Sequence, residues 1–155
     1  MPNRSDPAGI GDRHDLDRFV QAQEGDYDWA LAEIASGRKR SHWMWYIFPQ
    51  LAGLGSSAMA ARYAITGTAE ATAYLRDPVL GPRLVECAEA ALRVAERSAR
   101  EVFGTPDDMK LRSCATLFAA VSPNGSVFHR LLDRYFDGMP DPRTVELLGA
   151  AREAD

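Results

Sequence analysis

The chain has little of what would announce a chemistry. Only two cysteines occur, Cys87 and Cys114. Each sits in an apolar helical context, so two reduced, buried thiols are expected in preference to a single disulfide. Only three histidines occur, His14, His42 and His129. Neither they nor the cysteines show ligand spacing, so no metal site is expected. No apolar run approaches the roughly 20 residues that a membrane span needs. There is no excess of positive charge either: the formal net charge is -4 and the pI about 5.4. That argues against general affinity for nucleic acid or acidic membranes. No serine sits in a nucleophile-elbow pattern. Gly53-Leu54-Gly55-Ser56-Ser57 lacks the lysine and spacing of a phosphate-binding loop, and reads as a tight turn feeding a helix.

What is present is an ordinary globular composition over 155 residues, 46% hydrophobic and 26% charged. That length suits one domain with an adequate core. Residues 1–13 are rich in Pro, Gly, Asp and Arg with no apolar stretch. They read as a disordered leader rather than a secretory signal, which makes the cytoplasm the default location. A single domain is expected over 14–150, with a frayed C-terminus over 151–155.

Helical periodicity dominates. Leu16, Phe19, Val20, Gln23, Tyr27, Ala30, Leu31 and Ile34 recur at three- and four-residue steps, with Asp15 as a cap, a break near Gly25 and a stop at Gly37. Helices are expected at Ser57–Ala64, at Thr68–Arg76 and from Pro82 onward. Thr105-Pro106-Asp107-Asp108 reads as a helix start, with Thr105 as cap and two carboxylates at the positive end of the helix dipole. The helix it opens is apolar nearly all round in its second half, so it should lie at the centre. Two more follow, from Phe128 to Phe136 and after Asp141-Pro142. Sustained alternation is absent; Trp43–Phe48 is the one strand candidate, but it has no partner strand, and a short helix ended by Pro49 is the preferred alternative. The fold class is therefore all-α, a compact bundle of about six to eight helices.

The stretch richest in chemistry is Gly37-Arg38-Lys39-Arg40-Ser41-His42-Trp43-Met44-Trp45-Tyr46-Ile47-Phe48-Pro49-Gln50. Its cations can hold an anion or stack on rings, and its aromatics offer stacking faces. In a ligand site, Trp43 or Trp45 would stack on a heteroaromatic ring while Arg38, Lys39 or Arg40 meets a phosphate or carboxylate. His42 would shuttle a proton. The amide of Gln50 would read a ligand edge. Otherwise the tryptophans fill core and the cations face water. On the central helix, Lys110 and Ser113 share one face, and Arg112 and Thr116 another. Such a polar cluster needs partners, either a ligand or structural carboxylates such as Asp107, Asp108 and Glu70.

Further residues carry a family resemblance. Asp15-Leu16, Arg18-Phe19-Val20 and Ala22-Gln23 begin it. His42-Trp43-Met44-Trp45, Phe48-Pro49-Gln50 and Gly53-Leu54-Gly55-Ser56 continue it. Asp77-Pro78-Val79-Leu80-Gly81-Pro82-Arg83-Leu84 and Thr116-Leu117-Phe118 carry it toward the end. Over Asp15 to about Leu148 the chain resembles the bacterial domain-of-unknown-function family 1810, whose members are sometimes labelled calpastatin. The resemblance implies a compact, mostly helical single domain and no particular activity. The calpastatin label finds no support, since such an inhibitor is long, repetitive and disordered.

Three functional readings follow. The first is a pocket for a small anionic or nucleotide-like metabolite, lined by Lys39, Arg40, His42, Trp43, Trp45, Gln50, Lys110 and Ser113, with no cofactor. The second is a hydrolase or glycosidase on a nucleotide-like substrate, with His42, Glu70 and Asp108 as catalytic groups and a carboxylate stabilising positive charge on a sugar. The third is a helical protein-interaction module anchored by the aromatics. The oligomeric state is left open.

Overall fold

The computed structural model describes the backbone of residues 14–154 and the side chains of residues 14–150. The leader expected over 1–13 lies outside the described residues. Ten helices follow one another: α1 (Asp17–Gln23), α2 (Tyr27–Ala35), α3 (Met44–Ile47), α4 (Ala58–Arg62), α5 (Thr68–Arg76), α6 (Leu80–Arg93), α7 (Ala99–Phe103), α8 (Asp107–Ala119), α9 (Val127–Phe136) and α10 (Pro142–Ala154). The only β pairing among the described residues is one parallel bridge between Leu51 and Ile65.

The all-α expectation holds, but ten helices exceed the six to eight expected. Two local causes account for the excess. The chain breaks between Gln23 and Tyr27, so one apolar stripe becomes α1 and α2. A short helix, α7, forms on a capping box: Ser98 Oγ accepts from Glu101 N, and Ser98 N donates to Glu101. Each half of that pair satisfies a backbone donor that the helix itself leaves open. At its far end α10 continues to Ala154, into the stretch expected to fray.

Two expected caps are placed differently. Leu16, not Asp15, occupies the cap position of α1; Asp15 sits at φ +50° and its carbonyl accepts from Arg18 N at 3.2 Å. Helix α8 opens at Asp107 with Pro106 at its cap position. The Thr105 hydroxyl donates to Asp108 Oδ1 at 3.2 Å instead of capping the helix.

Helix α8 is the centre of the bundle, touching α5, α7, α9 and α10. Leu111, Cys114, Ala115, Leu117 and Phe118 are all buried along it. Phe118 packs on Tyr74 and Phe128, with ring centroids 5.4 and 5.5 Å apart. Helix α6 joins α2, α5 and α9 across the other side. Its junction with α5 needs glycine: a Cβ on Gly81 would lie 2.1 Å from the carbonyl oxygen of Leu75. Cys87 and Cys114 are free and buried, as expected. Burial pushes the Cys87 thiol up to about 12 and the Cys114 thiol well above the ordinary range.

Candidate functional site

The basic–aromatic run is organised by a carboxylate from the preceding helix. Glu33 lies on α2 and is only 8% exposed. Helix α2 stops at Ala35, and Gly37 at φ +80° turns the chain back over it. Glycine takes that left-handed conformation without a Cβ penalty. Arg38 N then donates to Glu33 O at 3.1 Å and Lys39 N to Val102 O at 2.7 Å, pinning the loop between α2 and α7.

The loop next closes on the Glu33 side chain. Its Oε1 accepts from Arg40 N at 2.8 Å, Ser41 N at 2.9 Å and Trp43 Nε1 at 2.9 Å. Its Oε2 accepts from Ser41 Oγ at 2.6 Å. Burial works against the charge on Glu33. The bonds from the Ser41 hydroxyl, the two backbone amides and the indole outweigh it and hold the carboxyl at about 2. A carboxylate accepting several such bonds is stabilised in its ionised form.

Trp43 is consequently sealed, 1% exposed, and its indole packs on Phe48 with centroids 6.4 Å apart. The expectation that Trp43 offers a stacking face is corrected: its ring fills core. Two lysines converge nonetheless. Lys39 Nζ lies 4.9 Å from the Trp43 centroid, donates to Ser41 O, and pairs with Asp107 Oδ2 at 2.8 Å. Lys110 Nζ lies 4.8 Å from the Trp45 centroid and 3.5 Å from Asp107 Oδ1. One carboxylate therefore bridges two ammonium groups, each on a tryptophan. The Lys39 side chain is 6% exposed, whereas that of Lys110 is 22% exposed.

The remaining candidates are placed as follows. Arg40 and His42 are exposed on the same loop. Trp45 and Gln50 are half-buried, and neither the Trp45 indole nor the Gln50 amide hydrogen-bonds to a described residue. Ser113 turns elsewhere: its hydroxyl lies 3.0 Å from Asp141 Oδ2 and 3.1 Å from Met109 O, at the start of α10. Glu70 is 2% exposed and meets Arg18 Nη2 at 2.9 Å, Thr66 N at 3.0 Å and Thr66 Oγ1 at 2.9 Å. Asp108 accepts from Met109 N at 2.9 Å and from Thr105. His42, Glu70 and Asp108 thus share no partner.

Three hollows lie apart from the lysine pair. One of about 790 Å³ runs between α6 and α9, one of about 440 Å³ lies among α8, α9 and α10, and one of about 670 Å³ borders Arg18 and Glu70. None is lined by Lys39, Trp43, Trp45 or Lys110. Among the described residues, no three His, Cys, Asp or Glu side chains form a group able to hold a metal, and no helix is long and apolar enough to cross a membrane.

One residue at this loop carries no sequence motif. Trp29 on α2 is 65% exposed, and its Nε1 donates to Ser41 Oγ at 2.9 Å. Trp29 and Trp43 therefore both meet this loop, through Ser41 and Lys39, while Trp45 meets Lys110 of α8. The usable signal was spacing: Trp29 and Glu33 are four apart, so they share one face of α2.

No curated protein matches the chain. Among solved structures it is similar to the conserved hypothetical protein Rv1873 from Mycobacterium tuberculosis. The two are 51% identical with a TM-score of 0.87, over 89% of this chain and 99% of that one. Residues 13–148 match the family described as "Protein of unknown function (DUF1810)". With that match and the helical fold in hand, the chain belongs to the DUF1810 family.

Proposed function

We propose that the protein binds a small anionic, nucleotide-like metabolite at the cluster of Lys39, Asp107, Lys110 and Trp45. The observation that carries this reading is the shared carboxylate: two ammonium groups meet one Asp107, leaving one positive charge in excess. Lys110 is the cation that water still reaches, and it stands over the ring of Trp45. An anion drawn to Lys110 would place its apolar part beside that half-buried indole. The indole N–H of Trp45 supplies a further donor. Arg40 and His42 stand on the neighbouring loop as outer cationic and donor groups. In this reading Lys39 fixes Asp107 and Trp43 supports the loop from beneath, while Gln50 is left as an edge contact.

Nothing here favours a hydrolytic step. The Glu70 carboxylate is already held by Arg18 and Thr66, and Asp108 is engaged at the start of α8.

The test is a titration followed by tryptophan fluorescence and thermal denaturation. Adenosine monophosphate, adenosine and inorganic phosphate are compared on the wild type and on Lys110→Met. The nucleotide is expected to quench fluorescence and raise the melting temperature more than either fragment, and Lys110→Met to abolish both effects. Equal responses in wild type and Lys110→Met would remove the reading.

A second reading rests on Trp29. An indole 65% exposed, held by Ser41 beside Arg40 and His42, would anchor a protein partner. Trp29→Ala would then abolish capture of that partner while leaving nucleotide binding unchanged; retained capture would exclude it.

A further inference from the structure

The hollow of about 440 Å³ is made by small residues on facing helices. Ala119 and Ala120 at the end of α8 and Gly149 on α10 line it, with Leu132 and Leu148 beside them. Gly149 is exposed, and a Cβ placed on it would meet nothing within 4 Å, so its bare backbone forms the open rim of the hollow. The volume falls in the range of small-molecule sites, roughly 300–1,000 Å³, which pair an apolar lining with a few placed polar groups.

The placed group is His129 of α9, which lines the hollow. Its Nδ1 lies 2.7 Å from Ser126 Oγ. That oxygen is also the N-cap of α9 and accepts the backbone N–H of His129 at 3.4 Å. A hydroxyl oxygen that accepts at the cap still has its own proton to give, and Nδ1 is the acceptor beside it. In the tautomer where Nδ1 accepts from that hydroxyl, the ring proton sits on Nε2, the nitrogen left to meet a ligand. Thr116 also lines the hollow, but its hydroxyl donates to Arg112 O at 2.8 Å and accepts from Asp141 N at 2.8 Å. The one uncommitted side-chain polar atom in the lining is thus His129 Nε2.

We propose that this hollow binds a small apolar carboxylic acid. The hydrocarbon part lies against Ala119, Leu132, Leu148 and the bare backbone of Gly149. The carboxylate accepts from His129 Nε2–H. A ligand that bears only a cationic head has no acceptor to offer and is rejected. The site is separate from the lysine–tryptophan cluster.

The test uses the full chain with its histidines isotope-labelled, followed by NMR. Octanoate is titrated against octylammonium, which has the same tail and a cationic head. Octanoate is expected to move the His129 ring signals saturably and to leave those of His42 in place, while octylammonium binds at least about tenfold more weakly. Gly149→Phe fills the hollow and His129→Leu removes the donor, so each is expected to weaken octanoate by about tenfold or more. Circular dichroism checks both variants for folding. Should Gly149→Phe not fold, Ala120→Leu fills the same space from α8. Unmoved His129 signals, equal binding of the two probes, or octanoate binding untouched by a folded filling variant would each overturn the proposal.

Discussion

Trp43 donates its indole N–H to Glu33 Oε1 across 2.9 Å, and both residues are buried. This contact ties the core to the basic loop. The indole fills the interior that α3 and α7 enclose, with Phe48 lying edge-on to Phe103 at 5.9 Å. The carboxylate at its polar edge gathers Arg40 N, Ser41 N and Ser41 Oγ. Loop conformation and core packing therefore depend on one side chain.

Replacing that side chain should be costly. Glu33→Ala removes the acceptor for four donors and leaves the buried Trp43 N–H without a partner. A destabilisation of about 3–5 kcal/mol is expected, since each orphaned buried donor costs about 1–3 kcal/mol. Urea denaturation measures it. Glu33→Gln, which keeps one acceptor oxygen, should cost less. A loss under about 1 kcal/mol for the alanine variant would contradict the role given to Glu33.

Stability should also depend on acid in a definite window. The Glu33 carboxyl is held at about 2 in the folded protein, below the ordinary glutamate value. Its charge therefore contributes stability that is complete above about pH 5 and is lost as pH falls through about 2. The contribution is about 3 kcal/mol. Unfolding free energies between these limits should fall more steeply in the wild type than in Glu33→Gln. Parallel curves would show that other groups carry the acid sensitivity.

Much of the bundle was legible because local signals are strong where they exist. Asp77-Pro78 after Arg76 closes α5, whose bounds are those expected. The left-handed Gly37 and the Asp141-Pro142 start are likewise local. Pro49 ends the short α3 just as it should. The second half of α8 is buried on nearly every side, as its composition requires.

The site was less legible, for a physical reason. Helical periodicity relates residues three and four apart, whereas Glu33 draws its donors from a loop seven to ten residues on. Lys39 and Asp107 are far apart in the chain and meet only through tertiary packing. A structural carboxylate for Lys110 was foreseeable, and Asp107 supplies it. That the same carboxylate also takes Lys39 was not. Ser98 and Glu101 carry the spacing of a capping box, a local signal for α7 that lies outside the apolar periodicity.

Asp107 sets the charge of the lysine pair, and its removal should act in two directions. Asp107→Asn leaves two ammonium groups with no carboxylate between them. Phosphate-bearing ligands should bind about three- to tenfold more tightly at low ionic strength, with the gain shrinking as salt rises. The fold should lose about 1–3 kcal/mol, because Lys39 is buried and loses its charged partner. Weaker binding in a folded Asp107→Asn protein would place the anion elsewhere.

Both thiols should be inert in the native protein. Cys87 and Cys114 are buried and their thiolates strongly disfavoured, and the thiolate is the reactive form. A thiol-specific chromogenic reagent should label neither at neutral pH and both after denaturation. Rapid native labelling would show that α6 or α8 opens far more readily than its packing implies.

The anion-binding account is tested most directly at Trp45. The three indole N–H groups give separate NMR signals in tryptophan-labelled protein, one exposed at Trp29, one bonded to Glu33 at Trp43, and one uncommitted at Trp45. Titration with adenosine monophosphate should move the Trp45 signal saturably, leave Trp43 in place, and do neither in Lys110→Met. A Trp45 signal that stays fixed at saturating nucleotide, or moves equally without Lys110, would contradict the account.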